Sequence, residues 1–343
     1  MRPSPLYLAL LLSVASLSSA CLSFHSGPMP GEPLDATYAN VDGIRMRYLD
    51  LGQGEPVVLI HGFASALETW ATVWPSLLAD YRIIAMDLKG FGWTERPEGD
   101  YSPQAQAQLV LGLMDHLGVE RAAVVAHSWG SSVALQMALA APERVTRLAL
   151  YDAWVYFEQL PTFFVMARAS GIGEILTWLF YKERPADKMT AAFYDPRWVN
   201  EAFAEEVAHA LDRPGTEAAA LAAIRDQRFE DLQDAYRTIT QPVLLLWGRE
   251  DKVTRLHFGE RLVNHLPNAK LIVYGQCGHF PMIEARGPST RDLLDFLAAG
   301  HIAPAATTAP VTTIIVPAPQ PAPVPGATTE SHGESPSHPT STP

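Results

Sequence analysis

The sequence predicts an α/β protein, with a mostly parallel sheet covered by helices on both faces and interrupted by one helical insertion. Three observations carry this. Strand and helix signals alternate through residues 37–152 and resume through 239–300, the pattern of parallel units joined by crossover helices. Several strand signals are unbroken apolar runs such as Val57-Val58-Leu59-Ile60, as expected of strands covered on both sides. Between the two stretches, residues 153–238 hold about 85 residues of helical patterning without a clear buried strand. A hydrophobic fraction of 48% over 343 residues supplies the core.

Taken in order, two β-rich runs, Thr37 to Val41 and Ile44 to Leu51, flank Asp42-Gly43, a hairpin signal. The buried run Val57 to Ile60 ends at His61-Gly62-Phe63. Arg82 to Met86 ends at Asp87-Leu88-Lys89-Gly90-Phe91-Gly92. Ala122 to Ala126 ends at His127-Ser128-Trp129-Gly130, before a helix rich in small residues, and Val145 to Tyr151 follows. The insertion is rich in aromatic residues, among them Trp154, Phe163, Phe164, Trp178, Phe180, Phe193, Tyr194 and Trp198. These suggest an apolar pocket. Alternation resumes at Val243 to Trp247, before Gly248-Arg249-Glu250-Asp251. A last strand, Lys270 to Tyr274, leads to Gln276-Cys277-Gly278-His279, and a helix from about Pro288 to Ala299 closes the core.

The two ends read differently. Residues 301–343 hold 10 of the 28 prolines and only Glu330 and Glu334 as charged side chains, a composition expected of a disordered tail. At the start, Arg2 precedes an apolar run from Leu6 to Leu17 and then Ser18-Ser19-Ala20-Cys21. Twelve residues make about 18 Å of helix, short of a roughly 30 Å hydrocarbon core, so residues 1–20 read as an export signal and 21–36 as a linker. A Cys at that point resembles the lipobox of bacterial lipoproteins, which gives an expectation of membrane attachment through lipidated Cys21, or of plain secretion. The net charge of −12 repels phosphate backbones and argues against a nucleic-acid partner. With only Cys21 and Cys277, there is neither a disulfide framework nor a cysteine-based zinc site.

Ser128 stands where a buried strand meets a helix, the setting of a nucleophile elbow. The tight turn requires small residues two before and two after the serine. Gly130 meets this, and Ala126 replaces the usual first glycine. A serine hydroxyl needs a base, and His279, after the last strand, is the best placed of eleven histidines. The base needs a carboxylate to fix its tautomer. Asp251 is the choice, with Glu250 and Asp152 in reserve. Backbone N–H groups of Phe63 and Trp129 are the candidate oxyanion donors. His61 reads as part of a turn beside the site, His127 as pointing elsewhere, and Asp87 as a residue that fixes a loop.

With these motifs in register, residues 37 to 299 resemble the α/β-hydrolase family in its cap-bearing branch, in the order Ser, acid, His. The resemblance implies an eight-stranded, mostly parallel sheet with the triad at strand ends. It makes the insertion a lid and implies no metal or organic cofactor. Serine at the elbow departs from the dehalogenase and epoxide-hydrolase branches, which place Asp there. Ser128-Trp129-Gly130-Ser131 is similar to a stretch of proline iminopeptidases. Those carry His-Gly-Gly-Pro-Gly in the oxyanion loop, where this chain has His61-Gly62-Phe63-Ala64-Ser65. The function expected is therefore an exported serine carboxylesterase acting on a small acyl substrate. The alternatives are a C–C bond hydrolase of meta-cleavage type acting on a vinylogous diketone, an iminopeptidase-like enzyme, and a catalytically silent surface-binding protein.

Overall fold

A computed structural model describes residues 22–183, 185–229 and 232–299, together with the backbone of 314–316. Residues 1–20 and Cys21, read as signal and lipidation site, lie outside the described residues. Eight strands form the core sheet: β1 (Thr37–Val41), β2 (Ile44–Leu51), β3 (Glu55–Ile60), β4 (Tyr81–Met86), β5 (Ala122–His127), β6 (Val145–Tyr151), β7 (Val243–Gly248) and β8 (Ala269–Tyr274). The order across the sheet is β1-β2-β4-β3-β5-β6-β7-β8. β2 is antiparallel to β1 and β4, and the pairs from β4 onward are parallel. The Asp42-Gly43 turn closes the β1–β2 hairpin, both residues lying at positive φ (49° and 80°), the geometry that matches strand twist.

The segment read as a disordered tail contributes one surprise. Ile314–Val316 forms a ninth strand, β9, parallel to β8 at the sheet edge. The rest of the tail lies outside the described residues. A strand edge offers unpaired N–H and C=O groups, and this is a run of three β-branched residues in a proline-rich segment.

Each central strand splits its side chains between two cores. Val58 and Ile60 of β3 share one face with Leu245 and Trp247 of β7, under the helices Pro103–His116 and Gly130–Ala140. Val57 and Leu59 share the other with Leu244 and Leu246, against Trp70, Leu77 and the helix Arg286–Ala298. This is the period-two alternation of a sheet buried on both sides, so these strands read as unbroken apolar runs. Between β6 and β7 the described residues hold five α-helices and no strand: Thr162–Ala167, Ile172–Phe180, Pro185–Ala192, Glu201–Asp212 and Thr216–Arg225. This helical cap rests on the core partly through Phe63, which packs against clusters built from Ala167, Leu221 and Ile224 and from Tyr181, Leu211 and Ala220.

Because β3 through β8 are parallel, their C-terminal ends share one edge. The loops after β3, β5, β7 and β8 converge there, where ligands bind in open α/β sheets. Leu246 is fully buried at the centre of β7. Leu246→Ala should lower the unfolding free energy by about 2–5 kcal/mol, read as a lower urea midpoint at unchanged slope.

Candidate active site

Ser128 follows β5 directly and sits at φ 50°, a left-handed conformation that a residue with a Cβ adopts only when its surroundings enforce it. Gly130 is required two residues on, since a Cβ there would overlap the carbonyl oxygen of His61. Ala126, in place of the family's glycine, is fully buried in the core beside the helix Gly130–Ala140, so its methyl is accommodated.

The structure brings Ser128, His279 and Asp251 together. Ser128 Oγ lies 2.9 Å from His279 Nε2, and His279 Nδ1 lies 2.8 Å from Asp251 Oδ2. All three are buried, with 4–5% exposure. Asp251 Oδ1 accepts from the N–H groups of Val253 (2.7 Å) and Thr254 (3.0 Å), and Oδ2 accepts from the Thr254 hydroxyl at 2.7 Å. Burial pushes the Asp251 pKa up, but His279, Thr254 and Val253 outweigh it and lower the value to about 2. The carboxylate thus stays charged and oriented, able to hold His279 with Nδ1 protonated and Nε2 free to accept the serine proton.

The reserve acids are occupied elsewhere. Glu250 Oε2 accepts from the N–H of Cys277 at 3.0 Å. Asp152 Oδ1 accepts from the N–H of Gly248 at 2.9 Å, and burial, followed by the charge of Asp251, raises its pKa well above the ordinary value. Asp152, Asp251 and His279 place ligand atoms within 4.8 Å of one another, but the Asp251 and His279 atoms are already joined by their hydrogen bond.

The neighbouring motifs frame the oxyanion donors. His61 Nδ1 donates to the Gly62 carbonyl at 2.7 Å and Nε2 accepts from the Leu88 N–H at 3.0 Å. Burial holds this imidazole neutral by lowering its pKa. Asp87 fixes the facing loop by accepting from the N–H groups of Leu67 and Trp93, both at 2.8 Å. Ala64, at φ 53°, turns the chain just after Phe63. Among the described residues neither the Phe63 nor the Trp129 N–H has a backbone acceptor, which leaves both available to an oxyanion. His127 does turn away from Ser128, donating from Nε2 to the His279 carbonyl at 2.8 Å, and burial, then His279, lowers its pKa well below the ordinary value.

The insertion's aromatic residues divide. Phe164 lies 5.2 Å from Phe63 and 5.7 Å from Trp154, and Phe193 stacks on Phe280 at 4.7 Å, building an apolar wall beside the triad. Trp178, Phe180, Tyr194 and Trp198 instead face solvent, so the pocket expected from the whole set draws on only part of it.

Two residues escaped the sequence reading. Thr254 steadies Asp251, and its spacing of three residues from an Asp was the available signal. Glu284 had none. Its carboxylate bridges cap and core, accepting from the N–H groups of Tyr194 (2.7 Å), Gly278 (2.9 Å) and Phe280 (3.4 Å).

Residues 55–286 match the family profile described as alpha/beta hydrolase fold. The chain belongs to the α/β-hydrolase family. Over 271 residues, 75% of this chain, it is 34% identical to 2-hydroxy-6-oxo-2,4-heptadienoate hydrolase of Pseudomonas putida, covering 94% of that protein. It is 32% identical over 267 residues to 2-hydroxymuconate semialdehyde hydrolase of a Pseudomonas species, covering 91% of it. A meta-cleavage product hydrolase from Pseudomonas fluorescens superposes with a TM-score of 0.68 at 28% identity, covering 76% of this chain and 97% of that one. This α/β-hydrolase is a hydrolase by its relatives, but they overturn the expectation of a carboxylesterase, because those named are hydrolases of a 2-hydroxy-6-oxo-dienoate, of 2-hydroxymuconate semialdehyde and of a meta-cleavage product. The motifs misled because attack by serine on a carbonyl uses the same groups whether oxygen or carbon departs.

Burial raises the Glu284 pKa from its ordinary 4.5 to about 7, against the N–H bonds that favour the charged form. Between those values the folded protein keeps a proton that the unfolded chain has lost, so stability falls as pH rises through the window. Glu284→Gln removes that dependence. The wild type's stability relative to the variant should therefore decline from pH 4.5 to about 7 and level off above it, as read by urea titrations at each pH.

Proposed function

We propose that the protein hydrolyses the carbon–carbon bond beside the 6-oxo group of a 2-hydroxy-6-oxo-dienoate, a vinylogous diketone. The observation that carries the reading is the 34% identity, over nearly the whole of the P. putida relative, to a hydrolase named for such a substrate. The buried Ser128–His279–Asp251 chain supports it.

Carbon leaves a tetrahedral intermediate only as a stabilised anion. In the 2-oxo tautomer of the substrate, C5 is conjugated through C3=C4 to the C2 carbonyl, so the departing electron pair comes to rest on oxygen. In the proposed reaction Ser128 Oγ attacks the C6 carbonyl as His279 Nε2 takes its proton, and the N–H groups of Phe63 and Trp129 receive the oxyanion. Collapse breaks C5–C6. The leaving fragment departs as a dienolate, and His279 returns the proton to its oxygen. Water, deprotonated by His279, then attacks the acyl-Ser128 ester and releases the carboxylic acid. The apolar wall of Phe63, Trp154, Phe164, Phe193 and Phe280 would exclude bulk water until that second step.

A 2-hydroxy-6-oxo-dienoate offered beside short p-nitrophenyl esters tests this. The expected outcome is a higher kcat/KM for the dienoate, followed as loss of its visible absorbance, and a fall of about 10³–10⁶ in kcat for Ser128→Ala. Ester turnover with no dienoate turnover would overturn it.

A further inference from the structure

The cap carries a surface that the proposed reaction leaves unused. Of ten large hydrophobic side chains exposed among the described residues, eight lie between Val165 and Trp198. Six of them, Val165, Met166, Ile172, Trp178, Leu179 and Phe180, belong to the successive helices Thr162–Ala167 and Ile172–Phe180, and Trp178 is 62% exposed. From Pro161 to Tyr181 the charged residues are Arg168 and Glu174, and Glu174 is held by Arg225 at 2.8 Å. A helix face in water ordinarily carries charge. This one carries tryptophan, leucine and phenylalanine, the surface of an interaction site.

The path of the chain says what covers it. Leu22, the first described residue, packs against the cluster of Ala167, Leu221 and Ile224, so the polypeptide enters the fold where the helices Thr162–Ala167 and Thr216–Arg225 meet. Just upstream stand Cys21 and, five residues before Leu22, the end of an apolar run at Leu17 followed by Ser18. Five residues span at most about 18 Å. A membrane attachment at or before Cys21 would hold these two helices at the lipid surface.

We propose that the cap helices Thr162–Ala167 and Ile172–Phe180 dock on a lipid bilayer, seating the six exposed side chains at the boundary of headgroups and acyl chains. With a net charge of −12, attraction to anionic lipid is not the driving force, and zwitterionic phosphatidylcholine suffices. The patch is joined to the site by ring contacts from Phe180 to Phe163 (6.5 Å), Phe163 to Phe164 (5.9 Å), Phe164 to Phe63 (5.2 Å) and Phe63 to Trp129 (6.2 Å).

The test mixes the full chain with phosphatidylcholine vesicles whose acyl chains are brominated, and reads tryptophan quenching. Residues 1–21 contain no tryptophan, so quenching reports the folded part however the N-terminus is attached. The expected result is quenching that disappears in Trp178→Phe and does not change with salt. Ile172→Asp combined with Leu179→Asp, which keeps Trp178 as the reporter, should weaken it about tenfold or more at an unaltered thermal transition. Absence of vesicle association, or vesicle-bound protein without Trp178-dependent quenching, would overturn the proposal. So would Trp178 already shielded in vesicle-free protein, by a second copy if sedimentation shows a concentration-dependent dimer, or by the chain's own N-terminal residues if it shows a monomer.

Discussion

The site depends on one constrained piece of backbone, the turn at Ser128. Its left-handed φ is opposed by sterics worth roughly 1–2 kcal/mol for a residue with a side chain. Three hydrogen bonds hold it: Ser128 N–H to the Tyr151 carbonyl (2.9 Å), and the Ser128 carbonyl accepting from Ser131 (2.9 Å) and Trp154 (3.0 Å). At about 0.5–1.5 kcal/mol net each, these offset the strain and tie the turn to β6 and to the entrance of the cap. The geometry also forces close neighbours to be small. Gly130 runs against the end of β3, and a Cβ on Gly248 would overlap the Gly278 carbonyl beside His279. The serine and histidine loops meet because their backbones approach closely.

Electrostatics then sort similar groups into different roles. Three histidines and two aspartates crowd this edge of the sheet, yet burial works against the charged forms of His61, His127 and Asp152, lowering the first two pKa values and raising the third. Asp251 remains charged because it has more donors than its burial penalises. Asp251 is the carboxylate hydrogen-bonded to His279 Nδ1, placed to stabilise a transient imidazolium. That arrangement serves any acyl transfer. Ester and carbon–carbon cleavage differ in the leaving group, so substrate identity is carried by the walls around the triad, which the triad motifs do not encode.

Legibility followed the range of the interactions. The eight core strands were readable to within one or two residues because each is a local apolar run that needs no partner to be recognised. Ser128, Asp251 and His279 were readable because each follows such a strand. Glu284 was not, since its importance lies in N–H groups ninety and six residues away at Tyr194 and Gly278. Nor was β9, whose three residues are strand only by pairing with β8.

The sequence by itself therefore determined the parallel α/β core, the helical insertion and the strand-end positions of Ser128 and His279, because periodicity and strand-end position are local properties of the chain. Tertiary structure decided which acid faces His279, which cap aromatics wall the site and which stand exposed. These turn on which backbone segments approach one another, and close approach between residues a hundred or more apart depends on how the whole sheet is assembled.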